Sequence, residues 1–262
     1  NAGVPGVSVT DGYSVVKTDE AGAYTLTPNP NAVFVYITRP SGYDVKGPWY
    51  RPLSAEVNFT LDMAESEAEY TFINVSDTHT SNDPVSTAGL SAFVREVNGL
   101  TPPPRFVINS GDLINLSKTL SDRPETGDAF FRNYVGIMNN LTMPHYHVAG
   151  DHTDSSYRLD EFPRGDHRSG KPQYSSYHLG KRQLHGREYP TLEIQPMHTA
   201  WMKEDMTKRS EGTHVVTASE TDLVEQCPGF LEMAATHDVR FQMTGDIHVV
   251  SEKHHEVPYR TA

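Results

Sequence analysis

The sequence predicts an α/β domain preceded by a small all-β domain, and three observations predict it. Short β-branched and aromatic runs, separated by turn residues, fill roughly the first sixty positions. From residue 70 onward, continuous apolar runs alternate with stretches of helical periodicity. Each of the later apolar runs ends in acidic residues, usually with a glycine or histidine beside them.

The first part, residues 1–63, contains GVSVTDG, YSVVKTD, GAYTLTP and AVFVYITRP in succession. Asp-Gly, Glu-Ala-Gly and Pro-Asn-Pro breaks stand between them, and VNFTLDM at 57–63 reads as a closing strand. So many short strands in so little chain predict a β-sandwich. AESEAE at 64–69, acidic and built of small residues, reads as a linker, which leaves 70–262 for the second domain. That domain opens with YTFINVSD as a buried strand. TAGLSAFVREVNGL follows as a helix, with Leu90, Phe93, Val94, Val97 and Leu100 at helical spacing, stopped by the prolines at 102–104. RFVINSGD is a strand, GDAFFRNYVGIMNNL a helix and HYHVAGD a strand. TAWMKEDM is a short helix, HVVTASETDL a strand, FLEMAATHD a helix and VRFQMTGDIH the last strand. No repeat at solenoid spacing is present.

Composition limits the function. The 262 residues are 36% hydrophobic and 21% charged, with 18 Pro and 19 Gly, which is a globular, loop-rich make-up. A formal charge of −12 excludes a general nucleic-acid binder, because a phosphate backbone needs a basic face. An acidic protein that handles phosphate needs a local positive centre, and a metal ion is the usual one. The single cysteine, Cys227, rules out an internal disulfide and a thiolate zinc cluster. No run reaches the ~20 apolar residues of a membrane helix, and no basic-then-apolar signal opens the chain.

In an open α/β sheet, functional groups gather past the carboxyl ends of the strands. The ends here are SDTHT with Asp77 and His79, NSGDLIN with Gly111 and Asp112, and VAGDHTD with Asp151 and His152. SETDL with Glu220 and Asp222, and TGDIHVV with Asp246 and His248, follow. Each motif alone is common: Asp-x-His is often a capped turn, and Gly-Asp a simple one. The specificity lies in five successive strands each delivering oxygen or imidazole ligands, and in Asp-x-His spacing that puts both side chains on one face. Such a set suits Mn, Fe, Zn or Mg. His145 reads as a surface residue, His147 as a satisfied strand residue, and His237, His254 and His255 as solvated.

The ordered set SDTHT, SGDLIN, AGDHTD, SETDL and GDIH resembles the signature of the calcineurin-like metallophosphoesterases. That signature runs Asp-x-His, Gly-Asp, Gly-Asn-His-Asp/Glu, a lone His, then Gly-His-x-His. The resemblance covers about residues 70–250. The β-rich start, with TDEAGAYTL, looks like the N-terminal domain of a secreted, bacterial-type subgroup. It implies a layered metallophosphoesterase-type β-sandwich flanked by helices, a secreted or periplasmic place, and two divalent metal ions. A further C-terminal β-domain, usual in that subgroup, is expected to be absent here or to lie beyond the sequence.

Carried over position by position, the resemblance implies that Asp77, His79, Asp112 and His248 hold the first metal and that Asp112 bridges to the second. The second metal's own positions, an Asn and two His in the family, hold Asp151, Glu220 and Asp246 here. His152 matches the proton-donating histidine, with Thr153 in place of its usual acidic neighbour and Asp154 one position later. An all-oxygen second site favours harder ions such as Mg, Ca or Mn over Zn. Five carboxylates against two divalent ions leave the site one charge negative, which weakens its hold on an anionic phosphoester.

The activity implied is hydrolysis of a phosphorylated small molecule or phosphodiester by metal-activated water, with His152 protonating the leaving oxygen. Two rivals stand beside it. One is a non-catalytic or single-metal relative that binds without turnover. The other is a surface-binding protein in which the β-domain does the binding. The substrate-binding residues are not given by the sequence. The stretch 153–190 reads as a solvated loop, in which Arg158, Arg164, Lys171, Lys181 and Arg182 could meet an anionic group.

Overall fold

The computed structural model describes residues 2–30, 32, 34–64, 69–116, 124–148, 150, 152, 174–179, 182–187, 196–208 and 214–246. In the N-terminal part the strands are β1 (Ser8–Thr10), β2 (Val15–Lys17), β3 (Phe34–Ile37), β4 (Tyr43–Val45), β5 (Tyr50–Pro52) and β6 (Leu61–Met63). An antiparallel sheet runs β2-β1-β3-β5, and β4 pairs with β6 in a second one. Val7, Val9, Val35 and Ile37 are buried, and Val45, Trp49, Phe59 and Leu61 pack onto them, so the two sheets share one small core. The tight β1–β2 turn is held by Asp11. Its Oδ1 accepts from the backbone N–H of Tyr13 and Ser14, each at 2.9 Å, and its Oδ2 accepts from Asn29 N–H at 2.7 Å.

Two sequence expectations change here. GAYTLTP forms no regular strand; Tyr24 and Leu26 still pack on the core, and the Tyr24 hydroxyl donates to Val57 O at 2.8 Å. In VNFTLDM only the last three residues pair as β6. In both stretches burial of alternate side chains is present while the neighbouring backbone ladder is missing. Sequence periodicity senses the first and not the second.

The second part comprises β7 (Ile73–Val75), α1 (Pro84–Asn98), β8 (Val107–Asn109), α2 (Pro124–Met138) and β9 (His145–His147). β10 (Tyr174–Leu179), β11 (Arg182–Arg187), α3 (Pro196–Thr207), β12 (His214–Ser219), α4 (Leu223–Gln226), α5 (Phe230–His237) and β13 (Val239–Thr244) follow. β7, β8 and β9 form a parallel sheet. The other sheet runs β10-β11-β12-β13, antiparallel at the β10–β11 hairpin and parallel from β11 to β13.

Strand alternation sorts the side chains into layers. On β8, Val107 joins the cluster of Leu90, Val94 and Val97 from α1 with Phe131, Tyr134 and Met138 from α2. Its neighbours Phe106 and Ile108 face the other way, into a cluster with Val216, Ala218 and Met243 of the second sheet. On β12, Val215 turns away from that cluster to meet Trp201, Met202, Met206, Phe230 and Met233 of α3 and α5. The order is helices, sheet, sheet, helices. The fold is an α/β sandwich of two sheets flanked by helices, preceded by an N-terminal β-domain.

α1 begins where Asp83, ahead of Pro84, accepts from the backbone N–H of Val85 (2.8 Å) and Ser86 (3.1 Å). It ends at Gly99, whose N–H reaches the Arg95 and Glu96 carbonyls, so the prolines follow the stop rather than make it. The β10–β11 hairpin lies inside the stretch expected to be a solvated loop. YSSYHL and RQLHGR mix Ser, His, Gln and Arg into their β-formers, so no apolar run announces them. Two histidines are also relocated. His145 is buried at 2% exposure rather than on the surface, and His237 is buried at the end of α5.

The two parts touch. Val15 of β2 belongs to the α3–α5 cluster, and Trp201 Nε1 donates to Thr10 Oγ1 at 3.1 Å. Among the described residues no helix is long and apolar enough to cross a membrane.

Candidate metal centre

The parallel register of β7 and β8 continues past the strand ends. Ser110 N–H donates to Val75 O at 2.9 Å. Asp77, His79 and Thr80 N–H then donate to the carbonyls of Gly111, Asp112 and Leu113, each at 3.0 Å. The SDTHT and SGDLI segments thus lie side by side, which brings Asp77 and His79 against Asp112. This alignment needs unusual backbone. Asp77 (φ 53°), His79 (φ 39°), Asp112 (φ 47°) and Asp246 (φ 73°) are all in the left-handed region. Among the described non-glycine residues only Asp238 shares it. Such conformations cost energy and persist where the surroundings over-determine them, which is common at functional sites.

His79 Nε2 lies 3.6 Å from Asp112 Oδ2 and 4.0 Å from Asp77 Oδ1. The His152 ring sits edge-on to that of His79, centroids 4.8 Å apart, and its backbone N–H donates to Asp112 Oδ1 at 2.9 Å. Two triads share Asp112: His79, Asp112 and His152 form one, and Asp77, Asp112 and Glu220 the other. In each, the three ligand atoms all fall within 4.8 Å of one another.

Glu220 follows β12 and is 2% exposed. Its carboxylate occupies space that only glycine leaves. A Cβ on Gly111 would overlap Glu220 Oε2, and one on Gly150 would collide with the Asp112 carboxylate and come within 2.7 Å of Glu220 Cδ. One on Gly245 would sit 3.0 Å from Glu220 Oε2 and 3.2 Å from Asp77 Oδ2. Each of these glycines immediately precedes an acid, Asp112, Asp151 or Asp246. Taken alone, Gly-Asp reads as an ordinary turn. Its recurrence at three strand ends marks a shared niche, and the fold adds that Glu220 fills it.

The candidates divide as follows. Asp77, His79, Asp112, His152 and Glu220 come together. Asp246 contributes its backbone, whose N–H donates to Asp77 Oδ1 at 3.0 Å; its exposed carboxylate belongs to neither triad. Asp222 is the N-cap of α4, accepting from Val224 N–H at 2.9 Å. Asp151, His248, Thr153, Asp154, Arg158, Arg164, Lys171 and Lys181 lie outside the described residues, as do His254 and His255; Arg182 opens β11.

The donor set fits a divalent cation. Separations of 3.6 and 4.0 Å are too long for hydrogen bonds. Two atoms that each reach a common ion at about 2.0–2.2 Å can be up to roughly 4.4 Å apart. Three carboxylates so close repel, by about 4 kcal/mol per pair at 4 Å and an effective dielectric near 20. A cation relieves that repulsion, and oxygen and imidazole donors suit Mn, Mg, Fe or Zn.

Comparison with known proteins adds the following. Residues 1–74 match the family described as the N-terminal domain of calcineurin-like phosphoesterases. Among solved structures, a dimetal phosphatase from Danio rerio is similar at 11% identity and a TM-score of 0.40, covering 67% of this chain and 69% of its own. GAP50, the anchor in the inner membrane complex of Plasmodium, is similar at 9% identity and a TM-score of 0.42, covering 66% of this chain and 64% of its own. No curated protein sequence matches. Residues 1–74 are thus similar to the N-terminal domain of calcineurin-like phosphoesterases, and they lead into an α/β domain whose strand ends collect acids and histidines around Asp112.

Proposed function

We propose that the chain is a metal-dependent phosphoester hydrolase acting on a phosphorylated small molecule or a phosphodiester. Asp77, His79, Asp112 and His248 hold one divalent ion; Asp112, Asp151, Glu220 and Asp246 hold a second. The observation that supports this reading is the gathering of Asp77, His79 and Glu220 around Asp112, with the His152 ring beside them. Divalent ions held there would activate a water and neutralise phosphoryl oxygens. The residues do the rest. Asp112, fixed by the His152 N–H, keeps the two triads in register. The His152 imidazole, beside the cluster, holds the proton that passes to the leaving oxygen. The oxygen-rich second set selects Mn, Mg or Ca over Zn.

The test is hydrolysis of p-nitrophenyl phosphate and bis-p-nitrophenyl phosphate with Mn²⁺ added. Turnover that Asp112→Asn abolishes, and that His152→Ala lowers by about 10²–10⁴-fold, supports the assignment. Replacing Asp151→Asn, Glu220→His and Asp246→His together is expected to raise the rate. No turnover by the native chain in either assay overturns it.

One observation favours a second reading, in which the site binds an ion without turnover. Glu220 is buried against Asp77 and Asp112, and this added negative charge repels a phosphoester. Ion binding without hydrolysis by native protein, together with hydrolysis by the triple replacement, is its signature.

A further inference from the structure

Behind the candidate ligands lies a second tier of polar residues, all of them in the wall between the first sheet and its helices. Asn109, the last residue of β8, is fully buried. Its Oδ1 accepts from Gly111 N–H at 3.1 Å, and its Nδ2 donates to Tyr134 OH at 3.1 Å and to Thr78 Oγ1 at 3.3 Å. Thr78 Oγ1 in turn donates to Leu113 O at 2.9 Å. Tyr134 OH lies 2.6 Å from His147 Nδ1.

The directions of the bonds that Asn109 and Thr78 make are forced. A backbone N–H can only donate, so the amide oxygen of Asn109 must face Gly111. A carbonyl can only accept, so Thr78 must give its proton to Leu113 and receive one from Asn109. The other Asn109 N–H then goes to the Tyr134 oxygen, and the Tyr134 hydroxyl pairs with His147 Nδ1 at 2.6 Å, the donor set by the His147 tautomer. The relay touches both loops of the centre at their middles. Thr78 stands between Asp77 and His79, and Gly111 stands directly before Asp112.

We propose that Asn109, aimed by Tyr134 and His147, is a positioning residue that sets the spacing between the Asp77–His79 loop and the Asp112 loop, and through it the affinity of the centre for a divalent ion. It rests on the metal-binding part of the proposed function. Asp77, His79 and Asp112 hold left-handed backbone, which costs energy for any residue but glycine, so an external brace is needed, and one buried amide that bonds both loops supplies it. Polar partners behind metal ligands commonly set affinity by 10–100-fold.

The experiment is titration of the full chain with Mn²⁺ by calorimetry, for native protein, Tyr134→Phe and Asn109→Leu, with thermal unfolding and amide hydrogen exchange measured without metal. Tyr134→Phe keeps the ring in its buried place and removes only the hydroxyl, so it keeps the test open should Asn109→Leu fail to fold. The expected result is a roughly 10-fold or larger loss of Mn²⁺ affinity in Tyr134→Phe, with faster exchange at the Gly111 amide. A Tyr134→Phe variant that unfolds more easily yet binds Mn²⁺ with native affinity shows a merely structural role and overturns the proposal. Native protein that takes up no Mn²⁺ overturns both this proposal and the metal-dependent reading; native binding with unchanged variants overturns this one alone.

Discussion

Asp112 and Glu220 carry the centre between them, and glycine makes their approach possible. Gly111 has a φ of 146° and would place a Cβ on Glu220 Oε2. Gly111→Ala is therefore expected to destabilise the fold by about 2 kcal/mol or more, through strain and overlap together. Adding Glu220→Ala removes the overlap and should recover part of the loss, which a double-mutant cycle by urea unfolding would reveal as non-additivity. A second residue-scale prediction concerns His147. Burial, with His145 beside it, holds its pKa well below the ordinary value. Below about pH 6.5 the unfolded chain takes up a proton that the folded one refuses. Its contribution to stability is thus full above that pH and is lost as pH falls toward the lowered native value. The pH slope of the urea midpoint between pH 7 and 5 should flatten in His147→Phe; an unchanged slope would assign the effect elsewhere.

Among the elements, β8 does most to join the layers. Phe106, just before it, stacks on Phe72 with ring centroids 5.0 Å apart and meets Tyr146 edge-on at 5.9 Å. Phe106→Ala opens a cavity between the two sheets and is expected to cost about 3–5 kcal/mol, read from chemical unfolding. The alternation that buries Val107 on one side and Ile108 on the other was legible in RFVINSGD as a continuous apolar run. The helix faces were legible for the same reason, since Leu90, Val94 and Val97 recur at helical spacing and are the buried residues of α1. What was not legible was long-range. YSSYHL and RQLHGR become strands by pairing with each other and with β12, which no local pattern records. His145 reads as polar and becomes buried because β9 turns it to the helix side with His147, whose ring lies 4.8 Å away. The order of motifs along the chain assigns Glu220 its place, but its burial among three glycines comes only from the fold.

The whole molecule sets a net charge of −12 against a site that gathers carboxylates, so a cation is the element that reconciles the two. Its two parts are joined by Val15, seated in the α3–α5 core, and by the bond from Trp201 to Thr10. The full chain is expected to unfold in one cooperative transition. Trp201→Phe, which keeps an aromatic ring and loses the bond, should cost about 1 kcal/mol; two separated transitions in native protein would contradict the junction. The central claim is that the strand-end acids hold divalent ions. Equilibrium dialysis against Mn²⁺, followed by elemental analysis of the protein, tests it most directly. The account predicts at least one ion per native chain and its loss in Asp112→Asn. Native protein that retains no more Mn²⁺ than Asp112→Asn would contradict it.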